Sequence, residues 1–331
     1  MSAERARIGL TYDLRTEYLA MGYGEEETAE FDRESTVEAL ESALRELGHE
    51  VVRIGHVRAL VAALARGETW DAVFNICEGL RGYGREAQVP ALLDAYDIPC
   101  TFADPLTACV TLHKGLAKRV LRDSGVATTD FRLVGELGEV DAIDLPFPLF
   151  VKPVAEGTAK GIHPTSRADD RAALRRECDR VLSTYHQPAL VEPYLGGREF
   201  TTAILGEGPG ARAVATLEIV LLADKAEAHA YTYLNKEQSE ERCVFPLAEE
   251  PWASRCAELA LAAWRALGCR DAGRVDLRAD EHGRLMVLEA NPLPGMHPSH
   301  SDLPMACAAV GVSYLELVRT VIDATLRRRR R

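Results

Sequence analysis

The stretch GRVDLRADEHGRLMVLEAN, residues 273–291, leaves the chain little choice of local structure. Two apolar runs flank a turn containing His282 and Gly283, which is the pattern of a β-hairpin. The second run, LMVL, reads as buried strand and ends in Glu289 and Asn291. Residues i and i+2 of a strand face the same side, so this carboxylate and this amide point together. Asp276 lies on the partner strand within a residue or two of being opposite, and Arg274 shares its face. Three oxygen ligands on a rigid hairpin suit Mg²⁺, which takes a few carboxylates and completes its octahedron with water or phosphate. Two acidic residues on a solvent-facing strand are the plainer alternative, and the apolar run before Glu289 argues against it. A loop with four prolines and one glycine follows within residues 291–304 and stiffens whatever lies beyond the ligands.

The rest of the chain alternates strand and helix. Strands are expected at 6–12, 50–55 and 70–76, and helices at 35–47 and 88–95, which implies a mostly parallel sheet. A helical stretch at 106–124 leads to a strand at 147–153 that ends in Lys152, then to the glycine-containing loop EGTAKGI at 156–162. A helix near 169–185, strands at 189–194, 199–205 and 213–222, a polar loop at 231–242 and a helix at 251–267 complete the order. A lysine at a strand end is usually a solvated cap, but Lys114 and Lys152 are also the compact charges that phosphate needs. The loop 156–162 carries small residues whose N–H groups could fold over phosphate oxygens, although it is neither a P-loop nor a dinucleotide fingerprint.

Composition narrows the class. A chain of 331 residues, 47% hydrophobic and 27% charged, is ordinary globular protein with room for two or three domains. Its formal charge of −12 speaks against nucleic-acid or anionic-membrane binding by the body of the protein. The run of arginines at 327–331 reads as a solvated tail. None of the eight cysteines forms a C-x-x-C pair, which speaks against a zinc site or disulfide framework. No signal-peptide pattern and no membrane-length apolar run is present, consistent with a cytoplasmic location.

The order of these segments resembles the ATP-grasp superfamily, and within it the D-alanine–D-alanine ligases. The resemblance is carried by FNICEGLRGYGREAQVPALLDAYDIPCTFADPLTACVTLHKGLAKRVLRDSGV, PLFVKPVAEGTAKGI, VEPYLGGREFTTAILG and the hairpin with its proline loop, from about residue 70 to 322. It implies an α/β, three-domain ATP-grasp fold: a Rossmann-like substrate domain at 1–104, a central subdomain at 105–188, a metal-binding domain at 189–326 and the tail at 327–331. It also implies an ATP-dependent carboxylate–amine ligase acting through an acyl phosphate on small amino-acid-like substrates, as a homodimer.

By the same resemblance, Lys114 and Lys152 would hold ATP phosphates, with Glu156 and Gly157 opening the loop over them. Glu192, Tyr194 and Leu195 would receive adenine and Glu199 the ribose. Asp276, Glu289 and Asn291 would bind two Mg²⁺ ions, with Mn²⁺ as a substitute. Arg274 and Gly295 would stabilise the acyl phosphate and tetrahedral intermediate, with Tyr233 and Thr158 beside them, and Ser301 would touch the second substrate's carboxylate.

The amino-acid half departs from the family. Its opening glycine turn is replaced by TYDLRTEYLAMGYGEEE, where Glu17, with Asp13 as the alternative, would grip the first substrate. A family histidine is Glu78 here, and a family lysine before a tyrosine is Thr232, with Lys236 displaced. Such exchanges alter which charged substrate is accepted, so altered amino-acid specificity is expected. Alternatives are a natural-product ligase joining an amino acid to another scaffold, and a non-catalytic nucleotide-binding sensor.

Overall fold

A computed structural model describes residues 5–227 and 230–328. The N-terminal part runs β1 (Arg7–Tyr12), α1 (Arg15–Ala20), α2 (Glu34–Glu46), β2 (Glu50–Gly55), α3 (Val57–Ala65), β3 (Ala72–Ile76) and α4 (Gln88–Asp94). Its three strands form a parallel sheet in the order β2-β1-β3, as strand–helix alternation dictates.

The expected helix at 106–124 is two helices, α5 (Pro105–Leu112) and α6 (Lys114–Asp123). His113 between them is extended, and its imidazole accepts the Leu116 N–H at the start of α6. The break turns Lys114 toward the strand at 149–153, just beyond which the Val154 carbonyl accepts its N–H at 2.9 Å. A four-stranded sheet in the order β4-β7-β5-β6 follows, made of β4 (Arg132–Val134), β5 (Leu149–Pro153), β6 (Arg167–Ala168) and β7 (Ala189–Pro193), with α7 (Arg171–Tyr185) on its face.

The third sheet has the order β10-β9-β8-β11-β12 and is antiparallel: β8 (Glu199–Leu205), β9 (Arg212–Leu221), β10 (Cys243–Val244), β11 (Ala272–Ala279) and β12 (Leu285–Asn291). The expected polar loop at 231–242 contains two short helices, α8 (Tyr233–Glu237) and α9 (Ser239–Arg242). Thr232 caps the first, its hydroxyl accepting the Asn235 N–H. Helix α10 (Trp252–Ala266) buries Trp264 against β8, β11 and β12. At Gly273 an added Cβ would lie 2.4 Å from the Asn291 carbonyl and 2.5 Å from the Trp264 ring, so only glycine lets strand and indole meet there.

Helices α11 (Asp302–Ala309) and α12 (Tyr314–Arg328) close the chain. Leu317, Val318, Val321 and Ile322 of α12 join Val37, Leu40 and Leu44 of α2 in the core beneath the parallel sheet. The arginine tail needs correction on this point. Arg327 and Arg328 belong to the last turn of α12, and Arg328 pairs with buried Asp271 at 2.6 Å while donating to the Cys100 carbonyl. Residues 329–331 lie outside the described residues. Seven of the eight cysteines are buried and all are free. Among the described residues no single helix is long and apolar enough to cross a membrane.

Candidate active site

The hairpin is irregular where it matters. Asp276 pairs with Glu289 and Arg274 with Asn291, but Leu277 pairs with Val287, so Leu288 has no partner. This is a β-bulge, one extra residue that reverses the alternation beyond it. Leu285 and Val287 on one side of the bulge, and Ala290 on the other, face the Trp264 core. Strict alternation would have put Glu289 and Asn291 into that core; the bulge turns them out onto the face of Arg274 and Asp276.

On that face the charges are tightly arranged. Arg274 contacts Asp276 directly and reaches Asp302 of α11 at 3.3 Å. Asp276 also accepts from Thr201 at 2.7 Å and from the Asn291 amide at 3.3 Å. Glu289 pairs with Lys114 at 3.0 Å, and Glu199 with Arg278 at 3.1 Å. Burial pushes the Glu289 carboxyl up, but Lys114, Arg274 and Lys152 outweigh it and hold the group well below the usual carboxylate range. At Asp276 burial prevails over Arg274, with Glu289 adding repulsion, and the carboxyl is raised.

Those donors fit a hard divalent cation. Two carboxylates and an amide stand on the same face, on rungs with one other between them, and each carboxylate is neutralised by a side-chain cation, Lys114 or Arg274. Among the described residues no three His, Cys, Asp or Glu side chains form a metal cluster, and the two carboxylates would need the Asn291 amide beside them to hold one.

Facing the hairpin, the second sheet presents Lys152 and Glu192. Glu192 is clasped by Lys152 at 2.7 Å and Lys118 at 2.8 Å, and accepts the Thr129 hydroxyl at 2.6 Å. Although burial raises its carboxyl, the two ammonium groups win and hold it ionised far below its ordinary value. Glu192, Tyr194, Leu195 and Glu199 line a narrow slot between the two sheets, closed by Leu288, Arg278 and Tyr231. Lys118 lies one helical turn after Lys114, and Arg278 two residues after Asp276, so ordinary periodicity could have found both.

The glycine loop bridges to the N-terminal part. Lys114 donates to the Glu156 carbonyl at 2.5 Å, and the Glu156 carboxylate pairs with Lys160 at 2.6 Å. The Gly157 N–H donates to Glu30 at 2.7 Å, and Glu30 is held by Arg85 at 3.0 Å. Glu30 and Arg85 went unnoticed in the sequence because nothing local links residues 30, 85 and 157.

Beside this loop opens a cavity of about 490 Å³. Lys114, Glu156, Gly157, Thr158, Arg274, Glu289, Asn291, Gly295, Ser301 and Glu78 all line it. Ser301 accepts the His297 N–H at 3.0 Å, and a Cβ on Gly295 would come within 2.7 Å of the Ser301 hydroxyl, so glycine permits this close turn. Two expectations fail. Glu17 is exposed on α1, outside the lining, because residues 13–32 fold back on themselves and bring Glu30 and Asp32 to the cavity instead. Tyr233 is also outside: its N–H donates to the Ile162 carbonyl and its ring neighbours Arg15, while Tyr231 and Lys236 line the cavity. The alternative Asp13 is buried and takes the Tyr18 hydroxyl and the Gly79 N–H.

Three cavity carboxyls bind protons unusually well. Burial raises Asp32 to about 7, with Asp13 adding repulsion and the Thr36 hydroxyl opposing. Burial likewise raises Glu86 to about 7 against the pull of Arg85. Glu78 goes well above the usual range through burial first, then repulsion from Glu86 and Glu30.

The family model described as the D-ala D-ala ligase C-terminus matches residues 121–323. An uncharacterized protein of Sinorhizobium fredii is 33% identical over 87% of this chain and 86% of its own. D-alanine–D-alanine ligase B of Chromobacterium violaceum is 33% identical over 85% of this chain and 89% of its own. The D-alanine–D-alanine ligase of Granulibacter bethesdensis is 35% identical over 85% and 89%. The crystal structure of D-alanine–D-alanine ligase from Bacillus anthracis complexed with ATP superposes with a TM-score of 0.74, covering 98% of this chain and 99% of that one; at 22% identity the likeness speaks for the fold.

Proposed function

The chain belongs to the D-alanine–D-alanine ligase family, ATP-dependent ATP-grasp enzymes that form C–N bonds, and from that membership we propose that it joins a carboxylate to an amine through an acyl phosphate, with a substrate pair other than two D-alanines. The observation that carries this reading is that Arg274, Glu289, Asn291, Gly295 and Ser301 line the same cavity as Lys114 and the glycine loop. Phosphate-binding and acyl-binding chemistry therefore share one space.

In this reading the slot beside Glu192, Tyr194 and Leu195 takes adenine, Glu199 takes ribose, and Lys114 and Lys152 take phosphates. Both lysines are balanced by carboxylates, Glu289 and Glu192. The carboxylates keep both ammonium groups paired without nucleotide, and phosphate oxygens would join each lysine beside its carboxylate. Asp276, Glu289 and Asn291 would hold Mg²⁺, as two ions, and the bound metal would neutralise charge on phosphate oxygens. Arg274 faces the cavity from the rung it shares with Asn291, and its fork would stabilise negative charge growing on the acyl oxygen. Loop 156–162 would keep water from the acyl phosphate, which otherwise hydrolyses. The chain division at 104 and 188 belongs to the same reading.

Altered specificity is supported by Glu78, which lines the cavity where the family pattern has histidine, and by Thr232, which caps α8 where the pattern has lysine, while the displaced Lys236 lines the cavity. The test is ADP release by the purified protein with ATP and Mg²⁺ across D- and L-amino acids, with product masses. A D-alanyl-D-alanine mass from D-alanine alone, at full rate, would refute altered specificity. A Glu289→Ala variant that turns over like the parent would refute ligation through this site.

A further inference from the structure

We propose that one substrate of this ligase carries a fixed positive charge that takes no part in the reaction, as a basic amino acid does, and that Glu78, Glu86 and Asp32 receive it. The proposal rests on the ligase reading and names the substrate class of the same site.

The cavity is lined by ten Asp and Glu residues against four Lys and Arg. Most of these carboxylates already have a partner. Glu289 has Lys114, Glu30 has Arg85, Glu156 has Lys160, Asp302 has Arg274, Glu237 has Arg15 and Glu240 has His300. Glu78 and Glu86 are different. Both are half-buried in the cavity wall, and neither makes an ion pair or hydrogen bond with any described residue. Asp32, on the same wall, has the Thr36 hydroxyl and, among the described residues, no ion-pair partner.

Arg85 does not answer them. Its guanidinium is taken up by Glu30 and by the Ala155 carbonyl at 2.8 Å. Half-buried carboxylates without a counter-ion have given up part of their hydration, and a ligand cation offsets that cost directly. An amino acid with a neutral side chain brings one ammonium and one carboxylate, net zero, and leaves Glu78, Glu86 and Asp32 without a counter-ion. A basic one brings net positive charge and leaves its α-amine and carboxylate free for the chemistry.

The experiment is isothermal titration calorimetry of the full-length protein, loaded with Mg²⁺ and a non-hydrolysable ATP analogue. D- and L-lysine are compared with norleucine, D- and L-ornithine with norvaline, and ADP release is followed with the same compounds and D-alanine. The expected result is that one basic amino acid binds about tenfold or more tighter than its neutral counterpart, the worth of one charge-assisted hydrogen bond. Glu78→Gln and Glu86→Gln should each erase most of that ratio, with titration of ATP reporting that the variants are folded. The wild-type ratio decides the matter even if a variant fails to fold.

Equal or tighter binding of the neutral counterparts overturns the proposal, as does a ratio that survives both substitutions, or no amino-acid binding at all. ADP release with D-alanine or another neutral amino acid and no basic preference would overturn it and leave the ligase reading standing. Preference for a basic amino acid without ADP release would do the reverse.

Discussion

Asp276 and Glu289 stand opposite one another across the β11–β12 ladder, and Leu288, immediately before Glu289, has no partner. That single unpaired residue decides which way the carboxylate points. Val287 before the pair Leu288 and Glu289, and Ala290 after it, both face the Trp264 core.

Deleting Leu288 restores strict alternation and would drive Glu289 and Asn291 toward the Trp264 core. The expected outcome is destabilisation of about 3 kcal/mol or more, as an uncompensated buried charge imposes, with loss of Mg²⁺-dependent ATP binding. Leu288→Ala keeps the residue count and should retain that binding. Denaturant unfolding and calorimetry on both variants check this, and a deletion that binds ATP like the parent would show the bulge to be irrelevant.

Glu192 balances two ammonium groups, one of them on Lys118, which is 1% exposed. Glu192→Gln leaves both lysines without their anion and should destabilise the protein by about 3–5 kcal/mol. Urea unfolding at neutral pH reads this directly. A loss under about 1 kcal/mol would mean that the lysines find other partners.

Asp32 supplies a pH dependence of definite sign. Its carboxyl ordinarily titrates at 3.8 and is raised to about 7 in the fold by burial. Between those values the folded state holds a proton that the unfolded state has released, so raising the pH through this window lowers stability. Asp32→Asn removes that dependence. The melting temperature of the variant relative to the parent should therefore rise from pH 4 to pH 8; a flat difference would contradict the burial of this group.

Arg274 bridges Asp276 and Asp302 and faces the cavity. In the proposed mechanism Arg274→Lys keeps a charge but loses the fork, and kcat for ADP release should fall by about 10²–10³-fold. KM for ATP should move much less. A variant whose KM rises while kcat holds would place Arg274 in nucleotide binding instead.

Much of this was legible in residue order. The hairpin at 273–291, the strand ending in Lys152 and the glycine loop are local patterns, and periodicity with motif order located them. Lys118 and Arg278 were equally legible at helical and strand spacing. The departures at Glu78 and Thr232 also stood in plain view, although not what they face.

Other features required the folded chain. Glu30 and Gly157 are 127 positions apart and Arg85 and Glu30 are 55, so no local rule joins them. Tyr231 rather than Tyr233 reaches the cavity because Thr232 starts a helix between them. Arg328 leaves the solvated tail because Asp271 offers a buried anion 57 positions away. The sequence by itself determined which chemical groups exist and which short segments carry them, because strand and helix periods act over a few residues. Only the tertiary structure decided which carboxylates found cations and which stayed unpaired, because ion pairing is settled by contacts between segments far apart in the chain.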